Sequence, residues 1–334
     1  MNKFCSIFCC ILVPGISSLF ATEADVSECC PESGASCSND IVSVCDNVPA
    51  CLPKLKPDLI ELSHTEGKGL GYSKGYSSLD LFLSQPFCQK QCAFFLDLRG
   101  HIFNDGKYAA NAGFGFRWLD KCHNQIWGIN SFYDYLQTEQ RPFNQVSMGF
   151  EALWETWGVF VNGYLPVGKK ETPLYQFSYL DISPTGFLLK GKEKFAMKGV
   201  DAEVGYRFCN VKCVNLYAGI GPYYYWGRSA ATENAFRPTH RHAFGGRLNA
   251  SVSYRNYVSL EGIATYDSLF KWGGQVTLAV AFPFDFTVKT KGCGGPPCLQ
   301  ERLYQPVRMN EIIVIDRIHR YSSDPDILNP ENEP

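Results

Sequence analysis

Three successive runs between Gln125 and Pro166 alternate between two chemical faces, and those faces constrain the fold more than anything else in the chain. In the first, Trp127, Ile129, Ser131, Tyr133 and Tyr135 form one row, and Gly128, Asn130, Phe132 and Asp134 the other. In the second, Val146, Met148, Phe150 and Ala152 oppose Gln145, Ser147, Gly149 and Glu151. In the third, Trp157, Val159 and Val161 oppose Gly158, Phe160, Asn162 and Tyr164. A period of two is the period of a strand. A soluble sandwich would bury the apolar row and leave the polar row free to vary. Here the small and polar row holds Asp134, Glu151 and Asn162 in mid-strand, while aromatics crowd the strand ends. That inversion is the pattern of a membrane barrel, with apolar side chains toward lipid and polar ones toward the lumen.

Composition agrees. Aromatics at 14% and 30 glycines suit many short strands with girdles and turns, and a net charge of −2 excludes a broad nucleic-acid footprint. Past the N-terminus, no apolar run approaches the ~20 residues of a transmembrane helix. Met1–Ala21, with Lys3 before an apolar core, reads as a secretory signal. Export makes disulfides the expected use of paired cysteines among the 15 present. Residues 22–56 have no periodicity and read as a cysteine-rich periplasmic lead-in.

Twelve strand candidates fill residues 57–285, the expected transmembrane antiparallel outer-membrane β-barrel. They are Asp58–Glu66, Tyr76–Gln85, Cys92–Gly100, Lys107–Trp118, Gln125–Tyr135, Asn144–Leu153, Thr156–Tyr164, Met197–Phe208, Val214–Trp226, Arg241–Tyr254, Asn256–Thr265 and Lys271–Phe282. The inner row carries Asp80, Asp97, Arg99, Asn111, Arg117, Glu151, Asp201, Glu203, Arg247, Asn249 and Glu261. Charges of both signs can pair across a narrow lumen. Alternate connections are short, as periplasmic turns should be, and Leu165–Ala196 and Gly227–His240 are the long loops expected outside the cell. This parity gathers Cys88, Cys92, Cys122, Cys209, Cys213, Cys293 and Cys298 on the periplasmic side.

Over Ser77–Asp285 the chain resembles the β-domains of the intimin–invasin, or inverse autotransporter, proteins. The resemblance runs through SLDLFLSQPF (Ser78–Phe87), NAGFGFRW (Asn111–Trp118), GINSFYDY (Gly128–Tyr135), MGFEALW (Met148–Trp154), VNGYLP (Val161–Pro166), GVDAEVGY (Gly199–Tyr206) and YAGIGPYYYWG (Tyr217–Gly227). It implies a twelve-stranded barrel whose following segment returns through the lumen to the cell surface and carries an adhesive passenger. LYQPVRMNEIIVIDR (Leu303–Arg317) resembles that segment, but residues 286–334 are expected to be a linker-like tail without a passenger. The cysteine load is foreign to intimins and resembles chlamydial-type, disulfide-cross-linked outer-membrane proteins.

Cys88 with Cys92, Cys209 with Cys213, and Cys293 with Cys298 are the disulfide candidates; a four-thiolate zinc site is the weaker reading in an exported protein. Arg237, His240, Arg241 and His242 form a small cationic group read as barrel rim. Asp201 and Glu203 read as part of a salt network with Arg117 and Arg247. No G-x-S-x-G motif occurs, and His101, His123 and His242 have no assignable catalytic partner, so no enzyme, cofactor or metal is expected. The expected partners are outer-membrane lipid, the barrel-assembly machinery and disulfide-linked envelope proteins. The expected function is a translocation or display barrel, with a cross-linked envelope protein or narrow porin-like channel as the alternative. The apolar Ile312–Ile315 needs cover, so Leu303–Arg317 is expected to thread or plug the lumen.

Overall fold

The computed structural model describes residues 59–87, 91–121, 123–173, 175–183, 186–208, 213–229, 240–255, 257–283 and 299–322. The expected signal and lead-in, and Cys88, Cys122, Cys209, Cys293 and Cys298, lie outside the described residues. So does Arg237.

Twelve antiparallel strands close into a barrel. They are β1 (Leu59–Lys68), β2 (Tyr76–Phe87), β3 (Cys92–Phe103), β4 (Tyr108–Asp120), β5 (Gln125–Leu136), β6 (Phe143–Leu153), β7 (Trp157–Val167), β10 (Lys198–Arg207), β11 (Val214–Ser229), β12 (His240–Tyr254), β13 (Val258–Asp267) and β14 (Lys271–Pro283). Each pairs with its neighbour in sequence, and β1 closes on β14 in register from Leu59↔Pro283 to Lys68↔Gly274. The strand candidates read from alternation match these twelve to within a few residues.

The connection between β7 and β10 is not a plain loop. It contains β8 (Tyr175–Ser183) and β9 (Gly186–Ala196), a hairpin outside the barrel wall, and β15 (Ile315–Ser322) pairs with β9 to make a three-stranded sheet. Residues 286–334 are therefore not all linker, because β15 and the stretch before it are built into the fold.

The alternation sorts the side chains as the inverted pattern requires. Leu79, Phe114, Ile129, Met148, Val276 and Leu278 project outward and exposed, while Phe82, Phe95, Phe132, Asp97 and Arg117 are buried inside. Aromatic contacts band the outer face at both ends. Trp157 meets Tyr206 at 4.7 Å and Phe116 meets Trp118 at 5.7 Å at one end; Tyr224 meets Trp226 at 4.5 Å and Tyr266 meets Trp272 at 4.9 Å at the other. Two such girdles mark the membrane interfaces. The first end carries the short turns, and three of them hold a non-glycine residue at positive φ: Asn124 at 49°, Cys213 at 74° and Arg255 at 52°. We refer to it as the turn end and to the other as the loop end.

This sorting makes a direct test. Val276→Arg should impair assembly, since a cation on the lipid face costs ~2–4 kcal/mol near the midplane. Gln275→Arg, one residue away and luminal, should assemble with little loss. Heat-modifiable gel mobility reads both, and equal harm from the two substitutions would contradict the assigned faces.

Candidate functional site in the barrel lumen

The lumen is occupied from end to end by residues 299–314. They enter at the turn end through a single 3-10 turn, Gln300–Tyr304. Leu299 and Leu303 pack there against Ala93, Ile126, Leu153 and Phe160. Arg302 is buried and donates to the carbonyls of Trp154, at 2.6 Å, and Trp157, so the segment is tied to the β6–β7 turn where it enters.

Above that turn stands Arg117, 1% exposed on β4. Its Nε and Nη2 donate to Glu151 on β6 at 2.7 and 3.1 Å. The two residues are not on adjacent strands. Between them lies Gly128 of β5, register partner of both. A Cβ there would stand 2.7 Å from Glu151 Oε2 and 3.1 Å from Arg117 Cγ, so only glycine leaves the gap the ion pair bridges. The remaining Nη1 donates to the carbonyls of Arg302, Leu303 and Gln305, at 3.3, 3.2 and 2.5 Å. The guanidinium also lies over the Phe95 ring, 4.8 Å from its centroid. An unpaired buried cation would be costly; here every edge is engaged.

Higher in the lumen, Arg99 takes Asp97 bidentately at 2.9 and 2.6 Å, the Val307 carbonyl at 2.8 Å and the Glu311 carboxylate at 2.5 Å. Across from it, Arg308 stacks on Tyr217 at 3.8 Å and lies 3.6 Å from Glu203 and 3.5 Å from Glu261. Arg247 pairs with Asp201 at 3.4 Å and approaches Glu203 at 3.8 Å. Asn162 donates to Asp201 at 2.9 Å and to the Arg308 carbonyl at 3.1 Å. Tyr164 donates to Asp201 at 2.8 Å and accepts the Asn310 amide at 2.7 Å. The network expected of Asp201 and Glu203 thus includes Arg247 but not Arg117, which goes to Glu151 instead.

His101 has partners that the sequence did not assign. Ser78 donates to its Nδ1 at 2.7 Å, and its Nε2 donates to Asn111 Oδ1 at 2.8 Å. This fixes the amide of Asn111, whose Nδ2 donates to Asp134 and to the Glu311 carbonyl at 2.7 and 2.8 Å. Ser78, His101 and Asn111 are all buried on the luminal side. The chain of hydrogen bonds orients a wall amide onto the threaded segment.

At the loop end Ile312, Ile313 and Ile315 seal against Tyr76, Phe103, Leu136 and Phe143, and Val314 against Tyr164, Met197 and Tyr225. The Met197 amide donates to the Val314 carbonyl at 2.9 Å. Only then does the chain become a strand, so the apolar run is the seal and the mostly polar β15 follows it. Gly71, at φ 81°, brings the β1–β2 loop over Ile315; a Cβ on it would sit 2.5 Å from the Ile315 nitrogen. Arg241 holds Asp316 with two hydrogen bonds, at 2.6 and 3.0 Å. That role, unlike the rim reading, needed the position of β15. Beside the exit, Glu139 lies 3.2 Å from Lys107 and 3.4 Å from Lys194. The Lys107 hydrogen bond, and then the Lys194 charge, hold this exposed carboxyl below the usual range.

Of the cysteine candidates, Cys92 opens β3 and Cys213 precedes β11, both at the turn end. Among the described residues no group of His, Cys, Asp and Glu is arranged to hold a metal ion.

Residues 70–232 match a family model described as the inverse autotransporter β-domain. That match spans β2 to β11, leaving β1 and β12–β14 to complete the ring. No curated relative matches the sequence. Among solved structures, a membrane protein from a study of in-meso crystallization is 16% identical, with a TM-score of 0.53 over 78% of this chain and 100% of that one. The COG4313 outer membrane channel of Pseudomonas putida F1 is 10% identical, with a TM-score of 0.45 over 67% of this chain and 95% of its own. The β-domain of the Bordetella autotransporter Brka is 9% identical, with a TM-score of 0.31 over 67% and 99%. The first of these shares the fold.

Proposed function

We propose, from the premise that residues 70–232 form an inverse autotransporter β-domain, that the barrel is a display module carrying its C-terminal segment from the periplasm to the cell surface. One observation carries this reading: the segment runs through the whole lumen, from Leu299 packed at the turn end to β15 paired with β9 at the loop end. Whatever follows Ser322 then leaves on the side of the long connections. In this reading Met1–Ala21 is the export signal, the turn end is periplasmic, and Cys92 and Cys213, which lie at that end, serve local disulfides or bridges to other envelope proteins. Those bridges are a supporting role rather than a rival one. A narrow porin-like channel is the poorer fit, because aromatic rings and the threaded segment fill the lumen together. An enzymatic role is poorer still: the Ser78–His101–Asn111 chain is turned inward and engaged with the segment.

Epitopes inserted after Ser322, after Lys169 and after Cys122 test the topology in intact cells. The first two should label and the third should not. Labelling after Cys122 alone would invert the barrel, and absence of label after Ser322 would remove the display function.

A further inference from the structure

Where β5, β6 and β7 reach the loop end, the outer face of the wall changes chemistry from one row to the next. Tyr133, Val146 and Leu165 stand side by side across the three strands, and Tyr133 and Leu165 are exposed toward lipid. The next outward row is Tyr135, Asn144 and Val167, so an amide replaces an apolar side chain at its centre. At Asn144 a cavity of about 400 Å³ opens, lined by Gln140, Arg141, Pro142, Asn144 and Lys169. Two of these five residues are cations and none is acidic.

Local contacts hold the cavity in shape. Thr138 Oγ1 donates to the Arg141 carbonyl at 2.7 Å and closes the β5–β6 loop on itself. Gly168, at φ 70°, turns the chain between the end of β7 and Lys169. The adjoining carboxylate, Glu139, is shared between Lys107 and Lys194. Gln140 accepts from the same Lys194 ammonium at 3.4 Å, which sets a third cation behind the lining. A guanidinium fork and an ammonium on one cavity match the several oxygens of a phosphate. The volume falls in the range of small-ligand sites, ~300–1,000 Å³.

The surface below the cavity points to where that phosphate comes from. Gly163 lies on the outward row of β7 between Val161 and Leu165, and a Cβ there would meet nothing within 4 Å. Its register partners, Met148 on β6 and Val200 on β10, are both exposed, so the glycine leaves a notch in an apolar face. A soluble anion has no use for such a notch, whereas an acyl chain can enter it.

We infer that this rim is a binding site for a phosphorylated lipid of the surrounding leaflet. Arg141 and Lys169 hold its phosphate, Asn144 adds a hydrogen bond, and an acyl chain runs over Leu165 into the notch at Gly163. With the loop end outside the cell, the lipid is the phosphorylated glycolipid of the outer leaflet. The choice of leaflet rests on the display reading; the site does not.

The full chain in neutral detergent is titrated with bisphosphorylated lipid A, with the same lipid stripped of its phosphates, and with inorganic phosphate. Intact-complex mass spectrometry reads the binding. Lipid A should bind, and the stripped lipid should bind roughly 10-fold more weakly or worse. Arg141→Gln combined with Lys169→Gln should weaken lipid A by roughly 10- to 100-fold, the scale for losing charged hydrogen bonds. Gly163→Leu, which fills the notch, should weaken it by about 3- to 10-fold. Lys74→Gln, which removes an exposed cation from the β1–β2 loop, should change it by less than about threefold. Heat-modifiable mobility confirms that each variant retains a folded barrel. Equal binding of the two lipids, or undiminished binding by the double variant, overturns the site. Displacement by inorganic phosphate, or full binding by Gly163→Leu, overturns the lipid as its occupant. An epitope after Lys169 that stays unlabelled on intact cells, with lipid A still bound in detergent, would instead sink the display orientation and leave the phosphate site standing.

Discussion

Deleting Leu303–Pro334 should turn a closed barrel into a conducting one, raising single-channel conductance in planar bilayers by roughly an order of magnitude or more over the full chain. The expectation rests on what would leave and what would stay. Leu303, Val307, Ile312 and Ile313 would leave, each 4% exposed or less, and with them the mouth seal and the packing at both ends. The pairs Asp97–Arg99, Arg117–Glu151 and Asp201–Arg247 would stay, because each is made within the wall. The barrel therefore keeps its strand ladder and its charge compensation, and water replaces the segment along a polar track. Unchanged conductance in the deletion variant would mean that side chains of the wall close the lumen without help.

The wall was legible in the sequence and its partnerships were not. Period-two alternation located all twelve wall strands, because lipid on one side and lumen on the other impose opposite chemistries on successive residues. The same signal failed between Leu165 and Ala196. YQFSYLDIS and GFLLKGKEKF belong to a separate sheet rather than to the wall, so β8 and β9 lack the inverted rows that betray a wall strand. β15 was displaced for a related reason. Strand propensity pointed to Ile312–Ile315, but those side chains are spent on sealing the mouth, and the ladder with β9 begins only at Ile315. That Arg308 and Glu311 meet charges on the inner wall follows from an extended chain in a charged lumen. That they meet opposite walls requires the ring order. The pairing of Arg117 with Glu151 rather than with Asp201 or Glu203 was hidden by a glycine: without the register that places Gly128 between them, two residues on β4 and β6 look too far apart to touch.

That bridge also yields the largest expected single-residue effect. Arg117→Met should destabilise the barrel by about 3–5 kcal/mol, because it leaves Glu151, 2% exposed, as an uncompensated buried carboxylate. Adding Glu151→Leu should recover most of that loss, since an apolar pair needs no compensation and the Phe95 ring offers a packing surface. Recovery should not be complete. The carbonyls of Arg302, Leu303 and Gln305 would still lack the donor Arg117 provides, a deficit of ~1–3 kcal/mol. The deficit should vanish when the same two substitutions are compared in a chain lacking Leu299–Pro334, where those carbonyls are absent. Gly128→Ala should fall between these cases, since its Cβ intrudes on both partners without removing either charge. Denaturant titration of the folded, heat-modifiable form in detergent measures all of these. Strict additivity of Arg117→Met and Glu151→Leu would show that the two side chains are not coupled across Gly128. A residual deficit that persists in the truncated chain would show that Arg117 supports the wall alone and does not grip the segment passing through it.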